Sequence, residues 1–450
     1  MMRFLSVFLL LLGFSSGITA QEQEKKITVK PVIHFRTFWM NTGYPGLEFK
    51  KDHALGMTLY AGAGFSYSDR LTLDLGYRTF ANVSSSDIWK SDPVSGQSNR
   101  YETGLFDLLN PGDRFFGRFE TFSLGYSGEK FGAKIGRIGI NTDWVNAQDG
   151  RLSPTAIEGI QLWVQPFPKW KITAWGIGRM NIRGSSDWLG VGETLGIFPQ
   201  GRSVLGRPGD YFGNTQSDWL GIWEVDRQLG KDSKLHFSNT LAQNLFSTYW
   251  LAWEKNQKQE AKTLIFGLQA GIQNGLGNGG NEDPALRYKE PDDLNYAISG
   301  RLGLKKGSWT THLNFTHVGG NGRWLSPREW GKDAWYTFIP RERNEGFENV
   351  NALVGYGEYR FEKVPLQLYA HAGIHWLSDV QDAGANKYNF PSYRQINLGL
   401  KYQPKAFKRL DFHLILVSKE PLNAGNLTPN QMYNKVEMLH FNGIVNWKWR

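Results

Sequence analysis

A hydrophobic period of two residues recurs along the chain and constrains its fold more than any other feature. Apolar residues occupy every second position from Leu264 to Ile272, from Leu294 to Ile298 and from Leu366 to Trp376. Such alternation predicts β-strands with one apolar face and one polar face. Each run has roughly ten residues, which is the length of a tilted strand that crosses a bilayer and about twice that of an ordinary strand.

The connections between these runs alternate between tight polar turns and mostly longer loops. The eight turns comprise residues 68–70, 128–130, 166–169, 229–233, 256–260, 305–308, 362–365 and 404–409. The nine loops comprise residues 39–53, 83–116, 139–156, 181–216, 244–247, 274–292, 319–348, 377–391 and 419–433. Turns at one rim and loops at the other are typical of a transmembrane up-and-down antiparallel β-barrel, which must close because lipid cannot satisfy an open sheet edge. We therefore predict an all-β barrel of about eighteen strands, with short periplasmic turns and long extracellular loops.

The first twenty residues have the composition of a secretory signal peptide. Arg3 supplies the positive charge, an apolar stretch runs from Phe4 to Phe14, and small residues precede Gln21. We expect cleavage after Ala20, which leaves residues 21–450 as a single barrel domain. The expected location is the outer membrane of a Gram-negative bacterium, and the expected surroundings are outer-membrane lipid and lipopolysaccharide.

The composition agrees with a barrel that is apolar outside and wet inside. The chain combines 14% aromatic residues and 52 glycines with a mean hydropathy of −0.44, which is too polar for a helical membrane protein. Tyrosine and tryptophan cluster near the ends of the runs, where interfacial girdles are expected: Tyr249, Trp250, Trp253, Trp309, Trp376, Tyr402, Trp447 and Trp449. The formal net charge of +9 either attracts anions or reflects lysine and arginine side chains in solvated turns.

Several cations fall on the polar face of the predicted strands. Residues with this parity include Arg78, Lys171, Arg179, Asn181, Arg183, Arg301 and Lys401. Cations that face one lumen lower the electrostatic cost of moving carboxylates through a narrow gap. Loop 139–156 is the natural candidate for folding inward, and its Asp149 and Arg151 would give the gap a negative and a positive wall. Each arginine alone also fits a solvated surface charge, so this hypothesis depends on the set.

Catalytic, cofactor and nucleic-acid functions find little support. His371 and His375 share a face, but four residues along a strand span roughly 13 Å, which is too far for one metal ion. The chain has no cysteine, no nucleophile elbow and no zinc-binding spacing, and its basic residues are not interleaved with stacking aromatics. We expect no enzyme activity and no cofactor. Two rival functions remain open, an outer-membrane lipase or protease and an adhesin or glycan-binding barrel that uses the loop tryptophans.

The segment from Ile135 to Trp188 resembles the OprD family of outer-membrane porins. The likeness lies in Gly136, in the run Asp149-Gly150-Arg151-Leu152-x-Pro154, in Gly159 at the start of the next strand, and in Arg183-x-Ser185-Ser186-Asp187. The chain length and the strand count also agree with the eighteen-stranded barrels of that family.

This resemblance implies a function and a constriction. In such porins the third loop folds into the lumen with the seventh, here about 319–348, and a ladder of basic side chains guides solutes that carry a carboxylate. Amino acids, aromatic acids and small peptides are the implied solutes. The motif places Asp149, Arg151 and Arg183 at the constriction, and Arg341 and Arg343 in the seventh loop are plausible partners. A monomer and a homotrimer are both compatible with the sequence.

Overall fold

The computed structural model describes residues 27–148, 151–198 and 201–449. The predicted signal segment and Asp149 lie outside these residues. The described part contains nineteen β-strands, namely β1 Ile27–Gly43, β2 Asp52–Tyr67, β3 Leu71–Ser85, β4 Phe115–Ser127, β5 Phe131–Gly139, β6 Ala156–Val164, β7 Trp170–Asn181, β8 Leu189–Gly190, β9 Leu220–Gln228, β10 Ser233–Ala242, β11 Phe246–Gln259, β12 Lys262–Gly275, β13 Leu294–Lys306, β14 Trp309–Asn321, β15 Val350–Arg360, β16 Leu366–Leu377, β17 Tyr393–Tyr402, β18 Leu410–Pro421 and β19 Met438–Trp449.

Eighteen of these strands form one closed barrel. Each pairs antiparallel with its neighbours along the chain, and β1 closes the barrel by pairing with β19 from Ile33↔Trp449 to Gly43↔Leu439. The short strand β8 is additional, and it pairs only with the end of β7, beyond the point where the pairing of β7 with β9 ends. The predicted fold class and strand number are therefore confirmed.

The two rims of the barrel differ as the connection lengths predict. All eight predicted turns connect adjacent strands at one end, which we call the turn rim. The nine loops lie at the other end, the loop rim, and we name them in chain order: L1 44–51, L2 86–114, L3 140–155, L4 182–219, L5 243–245, L6 276–293, L7 322–349, L8 378–392 and L9 422–437. Predicted loop ends differ from these by a few residues, because the strands continue beyond the clear hydrophobic alternation.

The outer face of the barrel is apolar and the inner face is polar. On β16, Leu368 and Trp376 are 40% and 45% exposed on the outer face, whereas His375 on the opposite face is buried. Tyr249 is exposed at the outer surface as predicted for a girdle residue, but its neighbour Trp250 is only 1% exposed, because the next residue of a strand points to the opposite face. Within the described residues, no helix is long and apolar enough to cross a membrane.

The hydrophobic core lies inside the barrel, where the loops pack against the inner wall. The longest loops, L2, L4 and L7, contribute many of the buried side chains, and the largest of these are tryptophans and tyrosines. The one α-helix among the described residues, α1 Pro429–Met432, is a single turn within L9. The interior is therefore filled near the loop rim by folded loops that the eighteen strands surround.

Candidate functional site

Loop L3 crosses the lumen from one wall to the other. At one side, the Arg78 guanidinium on β3 donates a hydrogen bond to the Leu152 carbonyl, at 3.4 Å. At the other side, the Ser238 hydroxyl on β10 donates to the Asp143 carboxylate, at 2.5 Å. The inward folding that was predicted for the third loop is therefore present in the structure.

A cluster of four buried tryptophans anchors L3 against the wall and against L7. Trp144 of L3 lies 5.2 Å from Trp250 of β11 and 4.9 Å from Trp335 of L7, measured between ring centroids, and its rings cross both of theirs nearly at right angles. Trp324 of L7 completes the cluster, 5.1 Å from Trp335. Edge-to-face contacts between buried rings stabilise a defined geometry beyond the area that they bury, so the two loops have one well-defined relative position.

Loop L7 continues the crossing towards the opposite wall. Its start contacts L3, since the Asn146 amide N–H donates to the Trp330 carbonyl, at 3.0 Å. Further along, the Asn397 side chain on β17 donates to the Pro340 carbonyl, at 2.9 Å, and Arg341 donates to the Asn442 side chain on β19. The two loops together therefore narrow the lumen, as the resemblance to OprD porins implies.

The constriction encloses a cavity of about 380 Å³, which we call the inner cavity. It is lined by residues of L2, L3, L4 and L7 and by the inner wall at β17 and β18. Its lining is strongly basic, with the eight cations Arg100, Arg151, Arg183, Arg328, Lys332, Arg341, Arg343 and Lys401. Among the described lining residues, Glu342 is the one carboxylate. The aromatic rings of Tyr101, Phe198 and Phe338 also line the cavity, each next to a cation.

Arg151 and Arg183, which the resemblance assigned to the constriction, both line the inner cavity. The Arg151 guanidinium donates to the Tyr101 carbonyl of L2, at 2.7 Å, and the Arg183 guanidinium lies 4.8 Å from the centre of the Phe198 ring. Gly104 makes room for Arg151, because a methyl group there would lie 2.0 Å from its Nη1 atom. Asp149 lies outside the described residues, so its role as a negative wall stays a prediction.

Three further cations from the polar face reach the lumen, but they occupy different positions. Lys401 lines the inner cavity and is exposed on its turn-rim side. Arg78 is buried and forms a two-pronged ion pair with Glu120, at 2.5 and 2.6 Å, so its charge is balanced beneath L3. Arg301 donates to the Asn314 side chain and lies 4.2 Å from the centre of the Tyr336 ring, outside the lining of the inner cavity.

Arg179 does not face the lumen, which corrects the sequence-based prediction. Four residues on neighbouring strands form one row across the sheet: Phe122 on β4, Arg137 on β5, Glu158 on β6 and Arg179 on β7. Phe122 is 59% exposed on the outer face, and residues directly opposite each other share a face. The cause is a β-bulge that leaves Gly178 without an opposite residue. One extra residue reverses the faces of the positions that follow it.

The remaining polar-face residues are placed away from the inner cavity. Lys171 is exposed and lies opposite Asp226 in the β7–β9 register. Asn181 is fully buried, and its side-chain amide donates to the carbonyls of Ser185 and Asp187 in L4. Asn181 therefore shapes the start of L4, which carries Arg183, and it contributes no charge to the path.

The predictions missed Arg100, Arg328, Lys332 and the network centred on Glu342. The Glu342 carboxylate accepts hydrogen bonds or ion pairs from Arg100 at 3.0 Å, Arg328 at 3.2 Å and Lys419 at 3.1 Å. Burial opposes ionisation of this group, but the nearby charges of Arg100, Lys419 and Arg328 outweigh it and hold the pKa of Glu342 well below its usual range. The only sequence signal was the density of arginines between residues 328 and 343.

An acidic group lies on the other side of L3, and it was also missed. Atoms of Asp143, Glu224 and His236 that are able to bind a metal all lie within 4.8 Å of one another. The His236 ring contacts Asp143 through Nε2 and Asp226 through Nδ1, each at 2.9 Å. In this arrangement His236 bridges two carboxylates, and the group connects L3 to β9 and β10. The lumen therefore has basic residues at the inner cavity and acidic residues near β9.

Comparisons with known proteins agree on the architecture. No protein-family model and no curated protein sequence matches the chain. Solved structures do match it. OpdK of Pseudomonas aeruginosa, crystallised with vanillate, superposes with a TM-score of 0.71 at 14% identity, covering 94% of this chain and 98% of that one. OccK9 (OpdG) of the same organism has a TM-score of 0.73 at 13% identity, over 93% and 98% of the two chains.

A third solved structure comes from a second organism. A BenF-like porin of Pseudomonas fluorescens matches with a TM-score of 0.71 at 14% identity, over 94% of this chain and 98% of that porin. Identities this low establish a common fold and leave the solute and the site residues of this chain to be argued from its own side chains. This chain has the closed eighteen-stranded barrel fold of these porins.

Proposed function

We propose that this protein is an outer-membrane porin for the passive diffusion of small polar solutes, with a preference for solutes that carry a carboxylate. The observation that carries the proposal is the inner cavity, whose described lining contains eight cations and one carboxylate where L3 and L7 cross the lumen. A low-dielectric wall focuses the field of such a set and raises the local concentration of anions. Anionic solutes therefore encounter a lower barrier than cations of the same size.

The aromatic residues in the lining suit solutes that are partly apolar. The Lys332 ammonium lies 5.6 Å from the centre of the Phe338 ring, and Phe198 lies beside Arg183. An acid with a ring or a short carbon chain can contact these faces while its carboxylate faces the cations. OpdK, whose fold this chain shares, was crystallised with vanillate, and an aromatic acid of that kind is a sensible first solute to test.

The outer surface of the barrel supports placement in a membrane. Leucine, isoleucine, phenylalanine and tryptophan side chains are exposed around the strands, including Leu302 at 61% and Trp309 at 61%. An apolar belt of this kind is costly in water and favourable in lipid. Its position on a barrel that shares the porin fold supports the outer membrane of a Gram-negative bacterium as the location.

The test is the ion selectivity of single channels in planar bilayers at low salt. Arg151→Gln and Arg183→Gln each remove a permanent charge from the inner cavity, so the reversal potential should shift towards cations and carboxylate currents should fall. The shift should shrink at 1 M salt, where the screening length is about 3 Å. Arg179→Gln is the matched control, since it removes the same charge from the outer face, and its reversal potential should equal that of the wild type.

Two outcomes would contradict the proposal. If both Arg151→Gln and Arg183→Gln have the reversal potential of the wild type, these cations do not select anions, and a barrel without charge selectivity is the remaining interpretation. A correctly folded protein with no conductance at all would favour the adhesin or glycan-binding alternative.

A further inference from the structure

A second cavity, of about 420 Å³, lies among the loops at the loop rim, and we call it the outer cavity. Residues of L2, L4, L8 and L9 line it, so it contains no strand residue of the barrel wall. Its lining includes four cations, Arg100, Arg202, Lys387 and Lys435, and no carboxylate among the described residues. Arg100 also lines the inner cavity, so the two cavities meet at this side chain.

Lys387 is the most deeply placed of the four cations. It is 4% exposed, and its ammonium group forms no hydrogen bond or ion pair with a described residue. Instead the nitrogen lies 4.2 Å from the centre of the Tyr288 ring, 5.2 Å from Tyr211 and 5.4 Å from Tyr388. Burial lowers the pKa of Lys387 to about 8, and the charges of Arg323 and Arg328 lower it further, while Glu345 and Glu329, which lie outside the cavity lining, act in the opposite direction. Cation–π contacts add little to this compensation, so the net effect of the surroundings still disfavours the charged ammonium group.

Arg202 and Lys435 also have no carboxylate partner among the described residues. Arg202 donates to the carbonyls of Asn386, at 3.0 Å, and Val380, at 2.7 Å. The Lys435 ammonium donates to the Asn430 carbonyl. Burial lowers the pKa of Lys435 to about 7, and the charges of Arg100 and Arg202 lower it further, while Glu342 acts in the opposite direction. Like charges are therefore crowded in this cavity.

Such crowding is unfavourable unless an anion completes the arrangement. Arg100 is paired with Glu342, whereas Arg202, Lys387 and Lys435 line the same cavity without a carboxylate in its described lining to pair with. We propose that the outer cavity is a second anion-binding site, which takes small dicarboxylates at the mouth of the channel before they reach the constriction. This inference rests on the proposed function and adds the substrate class. Two carboxylates balance three cations better than one does, and bidentate contacts with arginine favour planar acid groups.

Binding at this site should be coupled to proton uptake. Near pH 8, Lys435 is largely uncharged and Lys387 is about half charged, because of the lowered pKa values. A bound dicarboxylate favours the charged form of both, so protons are taken up from solvent. The charged groups that act on Lys435 are Arg100 from L2, Arg202 from L4 and Glu342 from L7. Those that act on Lys387 all belong to L7, namely Arg323, Arg328, Glu329 and Glu345.

The experiment is calorimetric titration of succinate into the full-length protein in detergent at pH 8, in two cationic buffers with different ionisation enthalpies. The wild type should take up protons on binding. Lys435→Met and Lys387→Met should each weaken succinate binding by about tenfold and reduce the proton uptake, because each removes a charge-assisted contact. Lys408→Met removes an exposed lysine from the opposite rim and should change neither quantity.

A correctly folded Lys435→Met variant with wild-type affinity and proton uptake would overturn the inference. Lys387 is buried among three tyrosine rings, so Lys387→Met could prevent folding. Folding is checked by gel electrophoresis, where a folded barrel migrates differently before and after boiling. Lys435 is less buried and provides the second variant. Arg183→Gln separates this site from the constriction, because it should alter ion selectivity while the Lys435-dependent proton uptake persists. If wild-type channels do not select anions but succinate binding still shows Lys435-dependent proton uptake, the proposed function is wrong and the outer cavity is still an anion-binding site.

Discussion

Arg100 of L2 donates two hydrogen bonds to the Glu342 carboxylate of L7, with N–O distances of 3.0 and 3.1 Å. The two residues are 242 positions apart in the chain. Arg100 lines both cavities, so this ion pair lies where the outer and the inner cavity meet. It therefore connects L2 to the constriction that L3 and L7 form, and its Glu342 carboxylate places a negative charge among the cations of the lining.

Replacing Glu342 by glutamine should destabilise the loop assembly. The change leaves Arg100, Arg328 and Lys419 without their shared counter-charge. Removing one partner of a buried ion pair costs about 3–5 kcal/mol. We expect a lower midpoint for thermal loss of the heat-modifiable form in detergent. Glu362→Gln, in an exposed turn, is the control and should retain the wild-type midpoint. An unchanged midpoint in Glu342→Gln would show that the network contributes little.

Replacing Trp144 by alanine should loosen the constriction. Trp144 is 3% exposed and contacts Trp250, Trp324 and Trp335. Truncating a buried tryptophan typically costs about 3–5 kcal/mol, part of which is the cavity that remains. We expect noisier single-channel currents and reduced discrimination among carboxylate solutes, with the barrel still closed. Trp219→Ala, at a site that is 48% exposed, should behave as the wild type. If single-channel currents of Trp144→Ala are as free of noise as those of the wild type, other contacts are enough to hold L3 in place.

Replacing Gly104 by alanine should move the Arg151 guanidinium. The new methyl group would lie 2.0 Å from Nη1, and this end of a flexible side chain has to shift into the inner cavity. A displaced guanidinium narrows the path, so the single-channel conductance should fall. Gly357→Ala, where an added methyl group meets nothing within 4 Å, is the matched control. In an Arg151→Ala background, Gly104→Ala should no longer lower the conductance. If it still does, the added methyl group acts through another contact.

The stability of L2 should depend on pH through Glu102. This side chain is fully buried, and burial raises its pKa from 4.5 to about 7. The folded state therefore binds more protons than the unfolded state between these values, so stability is fully present below pH 4.5 and falls as the pH rises through about 7. The total change is on the order of 3 kcal/mol. Between pH 4 and pH 8 the thermal midpoint of Glu102→Gln should fall less than that of the wild type. If the two midpoints fall in parallel, Glu102 is not the source of the pH dependence.

The architecture was predictable from the sequence because it follows from local patterns. Alternation from Leu366 to Trp376 requires only that successive residues point to opposite faces of a strand, and this holds wherever the strand pairs. All eight turns were located in the same way, from short polar segments between such runs. Closure of the barrel follows because an open edge would leave backbone groups unpaired in an apolar surrounding. These features do not depend on contacts between distant residues.

The composition of the site was decided by the tertiary structure. Arg151, Arg183 and Lys401 reach the inner cavity as predicted, but Arg179 points outward because a single bulge residue reverses its face. Arg100 showed no strand pattern, and its contacts with L7 and L9 place it at the cavity. A strand period describes residues near one another in the chain, whereas the charges at the constriction are assembled from loops that are far apart in the chain. Their positions follow from side-chain packing in the lumen, which no local pattern encodes.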